Sequence, residues 1–238
     1  MAVVPAGPPD DIFGAVDSVR ERSPGGFLVT FEGGEGSGKS TQMELLAEWL
    51  RGGGRDVVTA REPGTTATGE AVREFLLQTA PGDLVPEAEL ALFVAARAAL
   101  VEEVIRPALA AGQVVLLDRY GDSSVAYQGY GRGLDPGRIE ELNRWATRGL
   151  EPDRTILIDV PVDEAAGRRG DRAPDRLERL DAAFHQRVRE GYHRIARNHE
   201  DRFRVIEGRR SIRETQELIR DHVRDLLDGP TMEKDGSG

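Results

Sequence analysis

The chain is predicted to fold as an α/β protein built on a parallel sheet of five strands. Three observations carry this. Five short apolar, β-branched runs recur along the 238 residues: GFLVTFEG from Gly26, DVVTA from Asp56, VVLLD from Val114, TILIDV from Thr155 and FRVIEG from Phe203. Segments with helical spacing separate them. Several runs are apolar at successive positions, so both of their faces must be covered, as in a parallel sheet.

The elements follow in order. Residues 1–25 hold Pro and Gly at both ends and are expected to be a mobile arm; residues 228–238 are expected to be a disordered tail, leaving a folded domain over 26–227. After GFLVTFEG, the spacing of Met43, Leu45, Leu46, Trp49 and Leu50 predicts a helix from Lys39 to Arg51. A helix over Gly69 to Thr79 follows DVVTA. A long helix is predicted from about Pro86 to Ala111, with Leu90, Phe93, Leu100, Val101, Val104 and Ile105 on one stripe. Pro107 is predicted to kink or shorten it. Past VVLLD, residues 122–131 and 136–148 read as helices around a glycine-rich break, with Asp122 placed to cap the first. Arginines crowd 168–179, a helix runs on to about His199, and Ser211 to Leu227 forms the last helix. There is no internal repeat.

Composition narrows the class. Hydrophobic residues at 39% and charged residues at 31% fit a globular protein with a substantial core. The net charge of −10 argues against a nucleic-acid or anionic-membrane surface as partner. Cysteine is absent, which excludes disulfides and thiolate chemistry and is compatible with a reducing compartment. Arg97 and other charges interrupt the apolar stretches, so no segment of the roughly 20 residues needed to span a bilayer is expected. The opening MAVVPAGPPDD lacks the basic and apolar regions of a secretory signal.

Gly33 to Ser40, GGEGSGKS, has the spacing G-x-x-x-x-G-K-S between a predicted strand and a predicted helix. Glycines let the backbone adopt positive φ and turn its N–H groups inward, and the helix start adds partial positive charge. This is the P-loop that cradles phosphates. Gly33, Gly34, Glu35, Gly36, Ser37, Gly38, Lys39, Ser40 and Thr41 are therefore the expected nucleotide-binding residues. Of the 32 basic residues 30 are arginine, so the lysine kept at position 39 stands out as a compact cation for the outer phosphates. Ser40 offers its hydroxyl to Mg²⁺, and Asp118 at the end of VVLLD is the expected carboxylate beside it. An acid ending a buried strand is also common without such a role.

A GTPase would need an N-K-x-D guanine reader, and neither Lys39 nor Lys234 follows an Asn. DRYG from Asp118 only imitates the D-x-x-G switch. Transfer to a small acceptor is favoured instead. It requires spread negative charge to be neutralised, which arginine's planar fork does well. Arg61 follows DVVTA, and Arg168, Arg169, Arg172 and Arg176 fall in a loop-like stretch that could equally be a solvated charged face. Arg97 shares a helix face with Phe93, Leu100, Val101 and Val104. It is either a buried structural ion pair or half of an aromatic–guanidinium pair offered to a flat base. Ser124, Tyr127 and Gln128 are spaced to share a helix face, although a tyrosine there could simply pack in the core. Arg73 and Glu62 on their own read equally well as surface charges.

The stretches FEGGEGSGKST, REPG…GEAVREFLL, LFVAARA, LLDRYGDSSVAYQGYGRG, EPDRTILIDV and DRLERLDAAFHQRVREGY together resemble the thymidylate kinases of bacteria, over about residues 26–227. The resemblance implies a P-loop NTPase fold with a short arginine-rich LID over about residues 161–176. It implies Mg²⁺-assisted, ATP-dependent phosphorylation of dTMP to dTDP, a step in deoxythymidine triphosphate synthesis, by a cytoplasmic homodimer. It also implies roles. Lys39 and Ser40 bind ATP phosphates and Mg²⁺ with Asp118 nearby. Glu35 sits near the acceptor's 3′-hydroxyl and the metal. Arg61, Arg73 and Arg119 hold or clamp the acceptor phosphate, and Glu62 is among the substrate-binding residues. Phe93 stacks on thymine, Arg97 bonds its edge, and Ser124 and Gln128 face the base. Tyr127 crowds the 2′ side of the sugar. Arg168, Arg172 and Arg176 lie in or beside the LID. Two departures stand out. Thr65 replaces the usual second glycine after REPG. Gly36 stands where some relatives carry a P-loop arginine, so a LID arginine must supply that charge. A deoxynucleoside kinase and a non-catalytic nucleotide-binding protein remain as alternatives. Thymidine as acceptor would mark the first, and ATP binding without acceptor-dependent ADP release the second.

Overall fold

The computed structural model describes residues 23, 25–80, 83–168, 176–177 and 179–227. The predicted strands form at β1 Phe27–Glu32, β2 Val57–Arg61, β3 Val114–Asp118, β4 Arg154–Asp159 and β5 Phe203–Glu207. They make one parallel sheet in the order β2-β3-β1-β4-β5. Central β1 is buried along its whole length, Thr30 and Glu32 included.

The helices are α1 Lys39–Gly52, α2 Ala67–Gln78, α3 Pro86–Leu100, α4 Arg106–Ala110, α5 Gly121–Ser124, α6 Pro136–Thr147, α7 Val162–Gly167, α8 Ala182–Asn198 and α9 Ile212–Leu227. On one face of the sheet, Met43, Leu46 and Leu50 of α1 and Ile219 and Val223 of α9 pack over Phe31, Leu116, Ile156 and Ile206. On the other, Leu28, Val115 and Leu117 meet Leu100, Ile105 and Leu109, while Leu157 and Phe203 meet Val188, Tyr192 and Ile195 of α8. Each such side chain, fully buried, contributes about 1.5–3 kcal/mol, so the two apolar layers hold the sheet ends in fixed relation.

Two expectations are corrected. The long helix does not end at Pro107. It widens to a π-helical turn over Val101–Ile105, Arg106 N–H donates to the Val101 carbonyl, and α4 continues. Pro107 brings no N–H, and the hydrogen-bond register slips by one residue just before it, so the wide turn absorbs the proline. Asp122 does not cap α5. Its carboxylate takes two bonds from Arg202, at 2.7 and 2.8 Å, because the ion pair outcompetes a weak cap on a four-residue helix. A second π-helical segment, Val125–Gly131, follows α5, with Arg132 N–H donating to Tyr127 O at 2.9 Å. Among the described residues, side chains cap four helices: Thr66 on α2, Asp135 on α6, Asp181 on α8 and Ser211 on α9.

Parallel register brings the carboxyl ends of three strands side by side, Phe31 opposite Asp118 and Arg61 opposite Asp118. In open α/β sheets ligands bind outside those ends.

Candidate active site

β1 ends at Glu32 and the chain turns at once. Gly33 takes φ 134 and Gly38 φ 95. Position 33 has no alternative to glycine, because a Cβ there would collide with the Ile158 carbonyl oxygen of neighbouring β4. Lys39 opens α1 and is buried. Its Nζ donates to the carbonyls of Gly33 at 3.2 Å and Gly34 at 2.9 Å. Burial pushes the Lys39 ammonium below its ordinary range, and the Arg119 charge adds to this, while Glu35 and Asp118 pull the other way. The ammonium thus lies folded over its own loop, on the Gly33 and Gly34 carbonyls.

Ser40 Oγ donates to Asp118 Oδ2 at 2.8 Å. A hydroxyl beside a carboxylate is a hard-oxygen set that fits Mg²⁺, which takes one or two protein oxygens and completes its shell with phosphate and water. Among the described residues no group of three or more His, Cys, Asp or Glu could hold a metal by itself.

A single cleft of about 540 Å³ runs from this cradle to α3 and the α5–π segment. Glu35, Gly36, Gly38, Lys39, Ser40, Thr41, Arg61, Glu62, Arg73, Phe93, Asp118, Arg119, Ser124, Tyr127, Gln128, Arg168 and Arg176 all line it. Gly33, Gly34 and Ser37 lie off the lining, Gly33 and Gly34 facing a separate small pocket. Arg172 lies outside the described residues.

Arg119 stands in the middle. Its backbone takes φ 70, the left-handed region, fixed by its N–H on Phe31 O at 3.0 Å. Non-glycine residues persist there only when their surroundings over-determine them. The guanidinium pairs with Glu35 and donates to Tyr127 OH at 3.1 Å, Ser123 Oγ at 3.2 Å and Tyr192 OH at 3.3 Å. Its centre lies 5.0 Å from the Tyr127 ring centroid. Burial opposes the Arg119 charge, but Glu35 and its neighbours outweigh it and push the pKa up. Arg61 lies at the exposed edge, bound by both oxygens of Glu70 at 2.9 and 3.1 Å. Arg73 donates to Pro63 O at 3.3 Å. Thr65 adopts φ 71, unusual for a β-branched residue. Its N–H reaches Glu70 at 2.8 Å and its hydroxyl accepts from Arg61 N–H at 3.0 Å, so local bonds replace the missing glycine.

Arg97 is enclosed. Its side chain is 0% exposed and forms a buried pair with Glu62 through Nε (3.1 Å) and Nη2, with further bonds to Asn143 and to Ser124 Oγ at 2.8 Å. Burial pushes the Glu62 carboxyl above its ordinary range against the pull of Arg97. The guanidinium therefore stands in the wall behind Glu62 and Ser124, which themselves face the cleft, and Phe93 reaches the cleft without it.

The structure adds residues that sequence reasoning missed. Glu32 is fully buried and accepts from Tyr120 N–H at 2.8 Å, Ser123 Oγ at 2.6 Å and Tyr192 OH at 2.8 Å. Two of these donors also touch Arg119, so Glu32 supports that guanidinium from below. Burial, with Asp122 nearby, raises its carboxyl to about 7. An acid ending an otherwise apolar strand was the available signal. Nothing in the spacing pointed to Tyr192, 160 residues away. Ser123, Leu76, Leu77 and Leu177 also line the cleft.

Comparison with known proteins identifies the family. The profile of the family described as Thymidylate kinase matches residues 31–219. A thymidylate kinase of Methylococcus capsulatus is 51% identical over 209 residues, covering 87% of this chain and 99% of its own length. One from Cutibacterium acnes is 46% identical over 203 residues, covering 85% and 98%. The crystal structure of thymidylate kinase from Ehrlichia chaffeensis superposes with a TM-score of 0.68 at 36% identity, covering 83% of this chain and 98% of that one. The chain belongs to the thymidylate kinase family.

Proposed function

We propose that the cleft holds ATP on the P-loop and dTMP over Phe93, and that the protein passes the γ-phosphoryl group between them. An oxygen of the dTMP phosphate bonds to the γ-phosphorus as the bond to the β,γ-bridging oxygen breaks, so dTDP forms and ADP leaves. The observation that carries this is the continuity of one 540 Å³ cleft between Lys39, Ser40 and Asp118 at one end and Phe93, Ser124 and Gln128 at the other, with Arg119 between.

Lys39 meets the outer phosphates of ATP. Ser40 and Asp118 hold Mg²⁺, which neutralises phosphate charge when bound. Arg119, with Arg61 and Arg73, fixes the acceptor phosphate, and Glu35 meets the sugar 3′-hydroxyl and metal region. Phe93 stacks on the base, Ser124 and Gln128 face its edge, and Tyr127 crowds the 2′ position. Arg97 acts from behind by holding Glu62 and Ser124. No strong base is needed, since a phosphate monoester has its second pKa at about 6. Positioning and preorganised charge carry the rate. A LID over about residues 161–176 supplies a further arginine from Arg168, Arg172 or Arg176; the first and last of these reach the cleft. The working unit is the domain over residues 26–227, placed in the cytoplasm as a homodimer. No helix among the described residues is long and apolar enough to cross a membrane.

Coupled measurement of ADP release with dTMP, dUMP, dCMP, dGMP and thymidine tests the assignment. Fast release with dTMP is expected. Release with thymidine alone would overturn it.

A further inference from the structure

Glu89 is fully buried on α3, one turn before Phe93. Its carboxylate gathers three side chains. Oε1 accepts from Gln128 Nε2 at 2.8 Å, Oε2 accepts from Arg132 Nη2 at 3.0 Å, and Arg176 Nη1 bonds Oε2 as well. Arg132 and Arg176 both pair with this carboxylate and hold it still. Its oxygens are the acceptors in all three contacts. The side of the Gln128 amide that faces Glu89 is therefore its NH₂, and the amide oxygen is what remains for the cleft that Gln128 lines.

We propose that Glu89 is a specificity-determining residue: by holding the Gln128 NH₂ it fixes the amide oxygen as a hydrogen-bond acceptor at the base end of the cleft. The pocket then matches a pyrimidine whose N3 carries hydrogen, thymine or uracil, and opposes cytosine, whose N3 is a bare acceptor. The inference rests on the reading above that places the acceptor base between Phe93 and Gln128. Opposing two acceptors in a partly dehydrated pocket leaves both unsatisfied, which costs about 10- to 100-fold in binding. Arg132 and Arg176 matter because they stop the carboxylate from turning away and freeing the amide.

Three measurements test it. In the unaltered protein, dUMP and dCMP differ only at the N3 and C4 edge; dCMP is expected to have a kcat/KM at least about tenfold below dUMP, and equal values would overturn the proposal. In Glu89→Gln, a neutral amide at 89 can donate to the Gln128 oxygen and let its NH₂ face the base. The dCMP-to-dTMP ratio of kcat/KM is expected to rise about tenfold or more. If that variant does not fold, Glu89→Asp keeps the charge for Arg132 and Arg176 but shortens the reach to Gln128, and the same rise is expected. An unchanged ratio in a folded variant sinks the role of Glu89. Gln128→Leu separates the two readings. If it leaves kcat/KM for dTMP intact, the base does not lie at Gln128 and the proposal falls with that placement. If it lowers that value while the Glu89 variants keep the parental ratio, the base placement stands and only the role of Glu89 fails.

Discussion

Removing the Glu62 carboxylate should unfold this protein more readily than removing its partner Arg97. The two side chains are 2% and 0% exposed, and Arg97 places two of its N–H groups on Glu62. Glu62→Ala strands a guanidinium that cannot give up its proton. Stranding a buried charge costs about 3–5 kcal/mol. For a domain of this size each kcal/mol moves Tm by about 2–4 °C, so a fall of roughly 6–20 °C is expected. Arg97→Met strands a carboxyl that burial already pushes towards its protonated form, so the group can neutralise itself. Its loss should be smaller and should shrink further as pH falls. The double variant, with no charge left, should recover much of the Glu62→Ala deficit. Thermal unfolding followed by circular dichroism at several pH values is the assay. A Glu62→Ala melting point within 2 °C or so of the parent, or a double variant no better than Glu62→Ala, would refute the reasoning.

Three further outcomes follow from the site. Lys39→Met should keep its fold and lose about 10²–10³-fold in kcat, the size of one missing preorganised charge contact, read by ADP release at saturating dTMP. Gly33→Ala should lose ATP binding in titration calorimetry, because the added Cβ meets backbone of β4 at a φ of 134 that alanine avoids. Glu32 binds its proton more tightly in the fold, at about 7 against an ordinary 4.5. Its contribution to stability is therefore full below 4.5 and is lost as pH rises through 7, a change of about 3 kcal/mol. Denaturant unfolding of Glu32→Gln between pH 4.5 and 8 should show that much less loss than the parent; parallel curves would contradict it.

The sheet and the P-loop were legible because each is a local property. Strand runs announce burial on both faces, and the glycine spacing of 33 to 38 encodes positive φ directly. Phe93, Ser124, Tyr127 and Gln128 were placed by helical periodicity, and all four reach one cleft although Tyr127 and Gln128 lie in a π-helical segment. Periodicity says which face is buried, however, and not what a buried charge will meet. Hence Arg97 was readable as lying in an apolar stripe, but not that Glu62, 35 residues away, would enclose it. Asp122 was read as a cap because Arg202, its partner 80 residues on, is invisible to local reasoning. Glu32 and Glu89 were passed over for the same reason: their donors come from distant segments joined only by the fold.

The claim that matters most is that one cleft seats both nucleotides with their phosphates facing each other. A single molecule joining adenosine to thymidine through their 5′ ends by a chain of phosphates tests it directly. Titration calorimetry should show it binding more tightly than ATP or dTMP alone, excluding both, and weakening in Lys39→Met and Arg119→Ala alike. Exclusion of ATP with dTMP still able to bind would contradict it.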